Sequence, residues 1–262
     1  MDHFAKSSDG FKIHYDVTGN AATTLLFVHG WLGNISWWDA QRDAFSDRFK
    51  VVRMDLPSHG KSEKGRTQWS SRQYAQDIKA VADQLGSQKL VLIGHSMSGA
   101  YVTEASLIIP ETQAIILIDT LKDLDQHTTH EQADAFLFQR CRADFKSTVE
   151  TVMSQFLFSP STPLSVRQRI QTEFLSYDAG LAIKILEPLY KMDVRSIAKQ
   201  VSIPVRAIQS DYTPTNRDSN RKYFRDFNET VISEAGHYPM LERPEALNQK
   251  LAETLQELAL YD

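Results

Sequence analysis

Hydrophobic residues fall into short runs separated by segments with helical spacing. Seven mainly apolar runs stand out: Phe11–Val17, Leu25–His29, Lys50–Met54, Lys89–Ile93, Ala114–Ile118, Val205–Ile208 and Glu229–Ile232. From the second run onward most are nearly continuous rather than alternating, which is typical of parallel strands buried on both faces. The pattern therefore predicts a mostly parallel sheet.

Amphipathic helical segments lie between these runs. Two of them repeat apolar residues at the spacing of one helix face: Tyr74, Ile78, Val81 and Leu85 in the first, and Leu247, Leu251, Leu255 and Leu258 in the second. Strands that alternate with helices indicate an α/β fold in which helices cover both faces of the sheet.

The alternation stops between about Leu121 and Asp193, where the pattern is helical. We interpret residues 122–193 as a helical cap or lid, inserted into an α/β core formed by residues 1–121 and 194–262. The larger apolar residues of the cap are Phe136, Phe138, Phe145, Met153, Phe156, Leu157 and Phe158. We expect most of them to pack the cap helices together and a few to line a pocket.

Composition excludes several classes of protein. The 29 basic and 33 acidic residues are scattered and give a net charge of −4, so neither a nucleic-acid partner nor an anionic membrane is expected. Cys141 is the single cysteine, which excludes an intrachain disulfide, and His127 and His130 lack the spacing of a zinc motif. The chain opens without an apolar signal core, and no apolar run could span a bilayer, so we expect a cytoplasmic protein.

The strongest chemical signal is the segment LVLIGHSMSGA, residues 90–100. It places Ser96 on a tight turn between a predicted strand and a predicted helix, where a serine hydroxyl projects above the edge of the sheet. Gly94 meets the need for small residues in this crowded turn, but Ser98 occupies the position of the second glycine. We predict that Ser96 is a nucleophile and that the Met97 amide is an oxyanion donor.

Two loops that pair histidine with glycine follow predicted strands. Gly30 would let the backbone approach the nucleophile, so that the amide of Trp31 points at an oxyanion, while His29 holds the loop structurally. His237 lies after the last predicted strand and before the last helix. Histidine is the natural general base near neutral pH, so His237 is the predicted base.

With these motifs, the sequence resembles the α/β-hydrolase fold family over nearly its whole length. The resemblance rests on four segments. They are the strand–turn–helix segment that carries Ser96, which we call the elbow, the predicted cap, the turn DLPSHGKS at residues 55–62 and the segment GHYPMLERPE at residues 236–245. It implies a mostly parallel eight-stranded sheet and a chain order of nucleophile, acid and histidine. Ser58 replaces a usual glycine and is expected to be tolerated. An elbow with Ser98 resembles those of esterase-like members that include signalling receptors and stress-pathway regulators.

The resemblance leaves two candidates for the acid that would hold the His237 tautomer. Members of the family usually place it after the strand Val205–Ile208, which favours Asp211. Some members supply it one strand earlier, which makes Asp119 the alternative. Asp55, Asp123 and Asp125 are expected to be structural or surface groups.

A serine nucleophile indicates acyl transfer to water, whereas haloalkane dehalogenases and epoxide hydrolases of this fold use an aspartate. We predict a carboxylesterase-like serine hydrolase that cleaves a small apolar ester, thioester, lactone or amide through Ser96, His237 and Asp211, without a cofactor or metal. One alternative is a ligand sensor with slow turnover. Another is a cofactor-free dioxygenase or carbon–carbon bond hydrolase, and an acid at Asp119 would favour the dioxygenase.

Overall fold

Eight strands form one sheet in the computed structural model, which describes residues 2–260. They are β1 (Asp2–Lys6), β2 (Lys12–Thr18), β3 (Thr23–Val28), β4 (Lys50–Met54), β5 (Lys89–His95), β6 (Thr112–Ile118), β7 (Val205–Ser210) and β8 (Phe227–Ile232). Their order in the sheet is β1-β2-β4-β3-β5-β6-β7-β8. The β1–β2 and β2–β4 pairs are antiparallel and all others are parallel. The predicted fold class is confirmed.

The helices between these strands have clear local causes. Those before β6 are a 3₁₀ turn (Ile35–Trp38), α1 (Asp39–Phe45), α2 (Ser71–Leu85) and α3 (Met97–Ser106). In α2, the side chain of Ser70 caps the first turn by accepting a hydrogen bond from the Gln73 amide, and Gly86 ends the helix at φ 58°. The helix buries the apolar face predicted from the sequence against α3 and the sheet.

A helical insert follows β6. It contains α4 (His130–Ala133), a π-helical turn (Asp134–Phe138), α5 (Gln139–Ala143), α6 (Phe145–Ser147), a second π-helical turn (Thr148–Met153), α7 (Ser154–Leu157), α8 (Leu164–Leu175) and α9 (Ala179–Lys191). The chain then continues through α10 (Val194–Ala198), α11 (Arg217–Tyr223), α12 (Pro239–Glu242) and α13 (Pro244–Glu257). We call residues 122–193 the helical insert; its standing as a separate domain stays a prediction.

Strand β1 is the element that the sequence pattern does not predict. Asp2–Lys6 lies at the antiparallel edge of the sheet, and Phe4 remains 53% exposed there. An edge strand needs few apolar residues, so its sequence lacks the continuous pattern of β3, β5 and β6. Within residues 2–260, no helix is long and apolar enough to cross a membrane.

The sheet topology brings the candidate chemistry to one edge. Strand β3 lies between β4 and β5, so the chain reverses its direction of travel across the sheet at this point. Ligands in open α/β sheets bind at the carboxyl ends of strands beside such a reversal. The loops after β3, β5, β6 and β8 all begin at this edge. They carry the residues described next.

Candidate active site

Ser96 occupies a strained position between β5 and α3. Its backbone has φ 55° and ψ −126°, values that residues other than glycine rarely adopt. A Cβ at Gly94 would lie 2.6 Å from the Ser98 carbonyl oxygen and 2.7 Å from Val102, so the turn requires glycine there. The strain holds the Ser96 side chain away from the strand, beyond the end of β5.

His237 joins Ser96 to an acid. Its Nε2 lies 2.8 Å from Ser96 Oγ, and its Nδ1 lies 2.7 Å from Asp119 Oδ2. In the tautomer that these partners favour, the ring accepts from the Ser96 hydroxyl and donates to the carboxylate. The three side chains therefore form one continuous line of hydrogen bonds.

The structure corrects the favoured choice of acid, since Asp119 and not Asp211 contacts His237. The Asp211 carboxylate instead accepts hydrogen bonds from the amides of Glu234 (2.9 Å) and Ala235 (3.3 Å). It stabilises the turn that precedes the histidine and does not bond to the imidazole. Both aspartates follow neighbouring parallel strands, so the choice depends on where each carboxylate points.

Asp119 is buried yet ionised. Burial by itself would raise its pKa, but the hydrogen bond with His237 and the charge of Lys122 outweigh burial and hold this pKa well below its ordinary value. The same carboxylate accepts from the amide of Ser210, 2.7 Å away. An ionised carboxylate in this place can stabilise a developing imidazolium.

The predicted oxyanion donors lie on the two loops beside Ser96. A Cβ at Gly30 would be 3.0 Å from Ser96 Cβ, so the glycine permits the close approach of the two loops. Among residues 2–260, no acceptor is bonded to the amide of Trp31 or to that of Met97. The Trp31 side chain packs against Phe174 of the insert. Both amides remain predicted donors.

Ser98 links the elbow to the loop after β3. Its hydroxyl donates a hydrogen bond to the carbonyl of His29, and both residues are buried. His29 Nδ1 donates to the Gly30 carbonyl and its Nε2 accepts from the Leu56 amide, so its side chain holds the loop, as predicted. The departure from glycine at this position thus adds a hydrogen bond beside Ser96.

Replacing Ser98 with alanine should lower the free energy of unfolding by about 1–3 kcal/mol, because the buried His29 carbonyl loses a donor. Any hydrolytic turnover should fall several-fold, since the loop with Trp31 is held less firmly. Chemical denaturation and ester kinetics measure the two effects. Ser106→Ala is the matched control, since this hydroxyl donates to the Thr103 carbonyl farther along α3. Equal losses in the two variants would contradict the prediction.

The loop that carries His237 is tied to the insert through Glu242. The Glu242 carboxylate accepts from the amides of Gly236 (2.8 Å) and Tyr238 (3.0 Å) and from the Thr162 hydroxyl (2.7 Å). The His237 amide also donates to the Leu157 carbonyl at 3.1 Å. In the sequence, the one signal for this role is the glutamate that ends the segment GHYPMLE.

A cavity of about 300 Å³ lies over Ser96 and His237. Residues of the insert supply most of its apolar wall, among them Phe136, Leu137, Met153, Phe156, Leu157 and Leu186. Phe138, Phe145 and Phe158 do not line it. Apart from Trp31, His95, Ser96, His237 and Tyr238, its polar groups come from Thr128 and Tyr190. Its volume is at the small end of the usual range for ligand pockets.

The remaining candidates have structural contacts. Asp55 accepts from the amides of Ile35 and Lys61. Asp123 accepts from the Asp125 amide. Asp125 accepts a hydrogen bond from the Tyr223 hydroxyl, and His130 is hydrogen-bonded to Glu187. The side chain of His127 is exposed. Ser58 adopts a left-handed backbone with φ 64°. Within the described range, no three His, Cys, Asp or Glu residues group as a metal site.

The chain is similar to known proteins in both sequence and structure. The model of the alpha/beta hydrolase family matches residues 25–250. Strigolactone esterase D14 of Arabidopsis thaliana is 24% identical over 254 residues, which make up 91% of this chain and 94% of that protein. An esterase from Exiguobacterium antarcticum superposes with a TM-score of 0.85 at 19% identity, over 98% of this chain and 100% of that one. The latter likeness shows the fold alone.

Some curated relatives are longer than this chain. The dihydrolipoyllysine-residue acetyltransferase component of the acetoin cleaving system from Cupriavidus necator is 25% identical over 146 residues, or 56% of this chain and 39% of that protein. Its namesake from Pseudomonas putida is 24% identical over 247 residues, or 90% of this chain and 64% of that protein. The chain therefore spans about four- to six-tenths of the length of these two relatives.

Proposed function

Because the chain belongs to the alpha/beta hydrolase family, we propose that it is a serine hydrolase that cleaves a small apolar ester-type substrate. The observation that carries the proposal is the hydrogen-bonded line Ser96–His237–Asp119, with distances of 2.8 and 2.7 Å. Carboxylic esters, thioesters, lactones and amides all share the carbonyl on which such a line acts. A cytoplasmic location stays a prediction from the sequence.

The proposed reaction has two halves. Ser96 Oγ attacks the carbonyl carbon while His237 takes its proton, and the amides of Trp31 and Met97 bind the resulting oxyanion. His237 then returns the proton to the leaving group, which departs and leaves an acyl-Ser96 ester. In the second half His237 activates water, which releases the acid and regenerates the serine. Asp119 stabilises the imidazolium in both halves.

The cavity supports an apolar substrate. Its wall is mostly aliphatic and aromatic, and no Lys, Arg, Asp or Glu within residues 2–260 lines it. A charged substituent would lose its hydration there without gaining an ion pair. Its limited volume favours a short or compact group over a long acyl chain.

A series of p-nitrophenyl esters from acetate to octanoate tests the proposal. We expect turnover with an optimum at a short chain length, because the cavity wall bounds one end of the substrate. Initial rates for purified wild type and for Ser96→Ala give the comparison. Turnover that is equal in the two proteins would refute the function. A single burst that leaves an acylated Ser96 would instead favour the ligand-sensing alternative.

The position of the acid favours one further candidate. Asp119 contacts His237 and leaves Asp211 outside the line of hydrogen bonds, an arrangement that favours a cofactor-free dioxygenase on this scaffold. The two functions differ in their need for oxygen. If substrates of the ester series are inert and an aromatic substrate consumes O₂ in an electrode chamber, the dioxygenase replaces the esterase.

A further inference from the structure

The turn after β6 adopts an unusual backbone path. Asp119 has φ 44° and Leu121 has φ 47°, so two residues other than glycine lie in the left-handed region within three positions. Such strain persists where surrounding contacts over-determine it, and it is concentrated at functional sites. The path brings Lys122 back beneath the Asp119 side chain, where the two form an ion pair between residues three apart.

The ammonium group of Lys122 contacts four acceptor oxygens. Its Nζ lies 2.8 Å from Asp119 Oδ1, 3.0 Å from the Ser210 carbonyl, 3.1 Å from Ser210 Oγ and 3.0 Å from the Thr213 carbonyl. Its side chain is 15% exposed. Three ammonium protons thus face four acceptors: one after β6, two on Ser210 at the end of β7 and one on the loop after β7.

The rest of the turn is fastened to the same neighbours. The Asp119 amide donates to the Ile208 carbonyl at 3.0 Å, and the Gln209 side chain bonds both the amide and the carbonyl of Thr120. The Thr120 hydroxyl donates to the Ser96 carbonyl at 2.6 Å. The turn therefore connects the backbone of Ser96 to strand β7. Lys122 adds a charged contact between the turn and Ser210.

We propose that Lys122 is a positioning residue of this site, which makes Asp119 the acid by binding its outer carboxylate oxygen and joining the β6 loop to the β7 loop. The proposal rests on the function proposed above. Lys122 and the Ser210 amide hold Oδ1, so Oδ2 faces His237 and the carboxylate does not rotate. The ammonium thus selects one of two aspartates that follow neighbouring strands.

The charge of Lys122 has a second consequence, for the pH range of activity. A cation next to Asp119 offsets part of the attraction between this carboxylate and the imidazolium of His237. The ammonium of Lys122 therefore opposes the build-up of positive charge on the imidazole ring during the reaction. Removing the cation should move the acidic limb of the pH profile upward.

Other titratable or charged groups on the surrounding elements are His95, Asp123, Asp211, Arg217 and Tyr238. Burial lowers the pKa of His95 to about 3 and raises that of Tyr238 well above its ordinary value, so both are neutral near pH 7. The carboxylates of Asp123 and Asp211 accept bonds from backbone amides, and Arg217 faces Glu229. Lys122 is the cation bonded to Asp119 among the described residues.

The test compares Lys122→Met with Lys122→Arg, using the best ester of the series followed by pH-stat titration. For Lys122→Met we expect kcat to fall about 10-fold, with KM nearly unchanged, because only the base is disturbed. The midpoint of the acidic limb, in the plot of kcat/KM against pH, should move upward by about 1 pH unit. Lys122→Arg should keep the limb of wild type, because it keeps the charge.

Lys222→Met is the matched control, since this exposed lysine pairs with Asp125 and lies outside the line of hydrogen bonds. It should reproduce wild-type kinetics. The proposal would be overturned if the acidic limb of Lys122→Met has the same midpoint as that of wild type, or if the midpoint moves equally in Lys122→Arg. Lys122 would then have a structural role only. Thermal unfolding shows whether each variant is folded; if Lys122→Met is not, Lys122→Gln replaces it.

A measurement without substrate separates this proposal from the proposed function. If wild type hydrolyses no ester, the function fails, and the NMR signal of the proton between His237 Nδ1 and Asp119 becomes the readout. In Lys122→Met this signal should titrate at higher pH than in wild type. The same midpoint in both proteins would refute the role of Lys122 independently of turnover.

Discussion

Ser96→Ala is expected to lower kcat by about 10³-fold or more on any ester that the wild type hydrolyses. The alanine removes the oxygen that attacks the carbonyl, and no acyl-enzyme can form. His237 and the oxyanion donors would remain in place, so binding and a small residual rate over water should survive. Steady-state kinetics on the best p-nitrophenyl ester, with KM measured separately, checks the prediction.

Mass spectrometry adds a direct test of the same residue. Wild type mixed with a slowly released acyl donor should gain the mass of one acyl group on the peptide that contains Ser96, whereas Ser96→Ala should gain none. Ser161→Ala is a suitable control, because this hydroxyl donates to the Glu234 carbonyl on the histidine loop yet lies outside the line of hydrogen bonds. Acylation elsewhere, with turnover preserved in Ser96→Ala, would remove Ser96 from the mechanism.

Asp119→Asn should be the second large effect, with a loss of about 10⁴-fold in kcat. An asparagine keeps the shape of the side chain, but its amide nitrogen can face His237 and hold the imidazole in the wrong tautomer. The ring would then present a proton, instead of a lone pair, to Ser96. Steady-state kinetics of the two aspartate variants, measured side by side, provides the comparison.

Asp211→Asn is the matched variant, and it should lose no more than several-fold. Its carboxylate accepts from the amides of Glu234 and Ala235, and an amide oxygen can still accept one of those bonds. The expected cost lies mainly in the stability of the turn before His237. A larger loss of kcat in Asp211→Asn than in Asp119→Asn would reverse the assignment of the acid.

Much of the sheet could be predicted because burial on both faces leaves a direct trace in the sequence. The continuous apolar runs that become β3, β5 and β6 have no solvent-facing side, so nearly every position must be apolar. An edge strand such as β1 is under no such constraint, and its five residues carry no comparable pattern. The prediction failed at β1, where Ala5 is the one buried residue of the strand.

The aspartate that contacts His237 could not be predicted for a different reason. Asp119 and Asp211 each follow a parallel strand, and β6 and β7 are neighbours, so strand position alone allows either. The left-handed backbone at Asp119, the amide of Ser210 and the ammonium of Lys122 together aim one carboxylate at His237. Ser210 lies 91 residues from Asp119 in the chain and His237 lies 118 residues from it, so no local pattern reveals the arrangement.

The sequence by itself determined the α/β architecture, the serine on its strand-to-helix turn and the histidine loop, because each depends on local pattern: apolar runs, small residues and chain order. Only the tertiary structure decided which aspartate meets His237, how Ser98 and Lys122 are used, and which aromatic residues of the insert line the cavity. Those outcomes depend on the direction of side chains from distant segments, and that direction is set by packing and hydrogen bonds that form only when the segments meet.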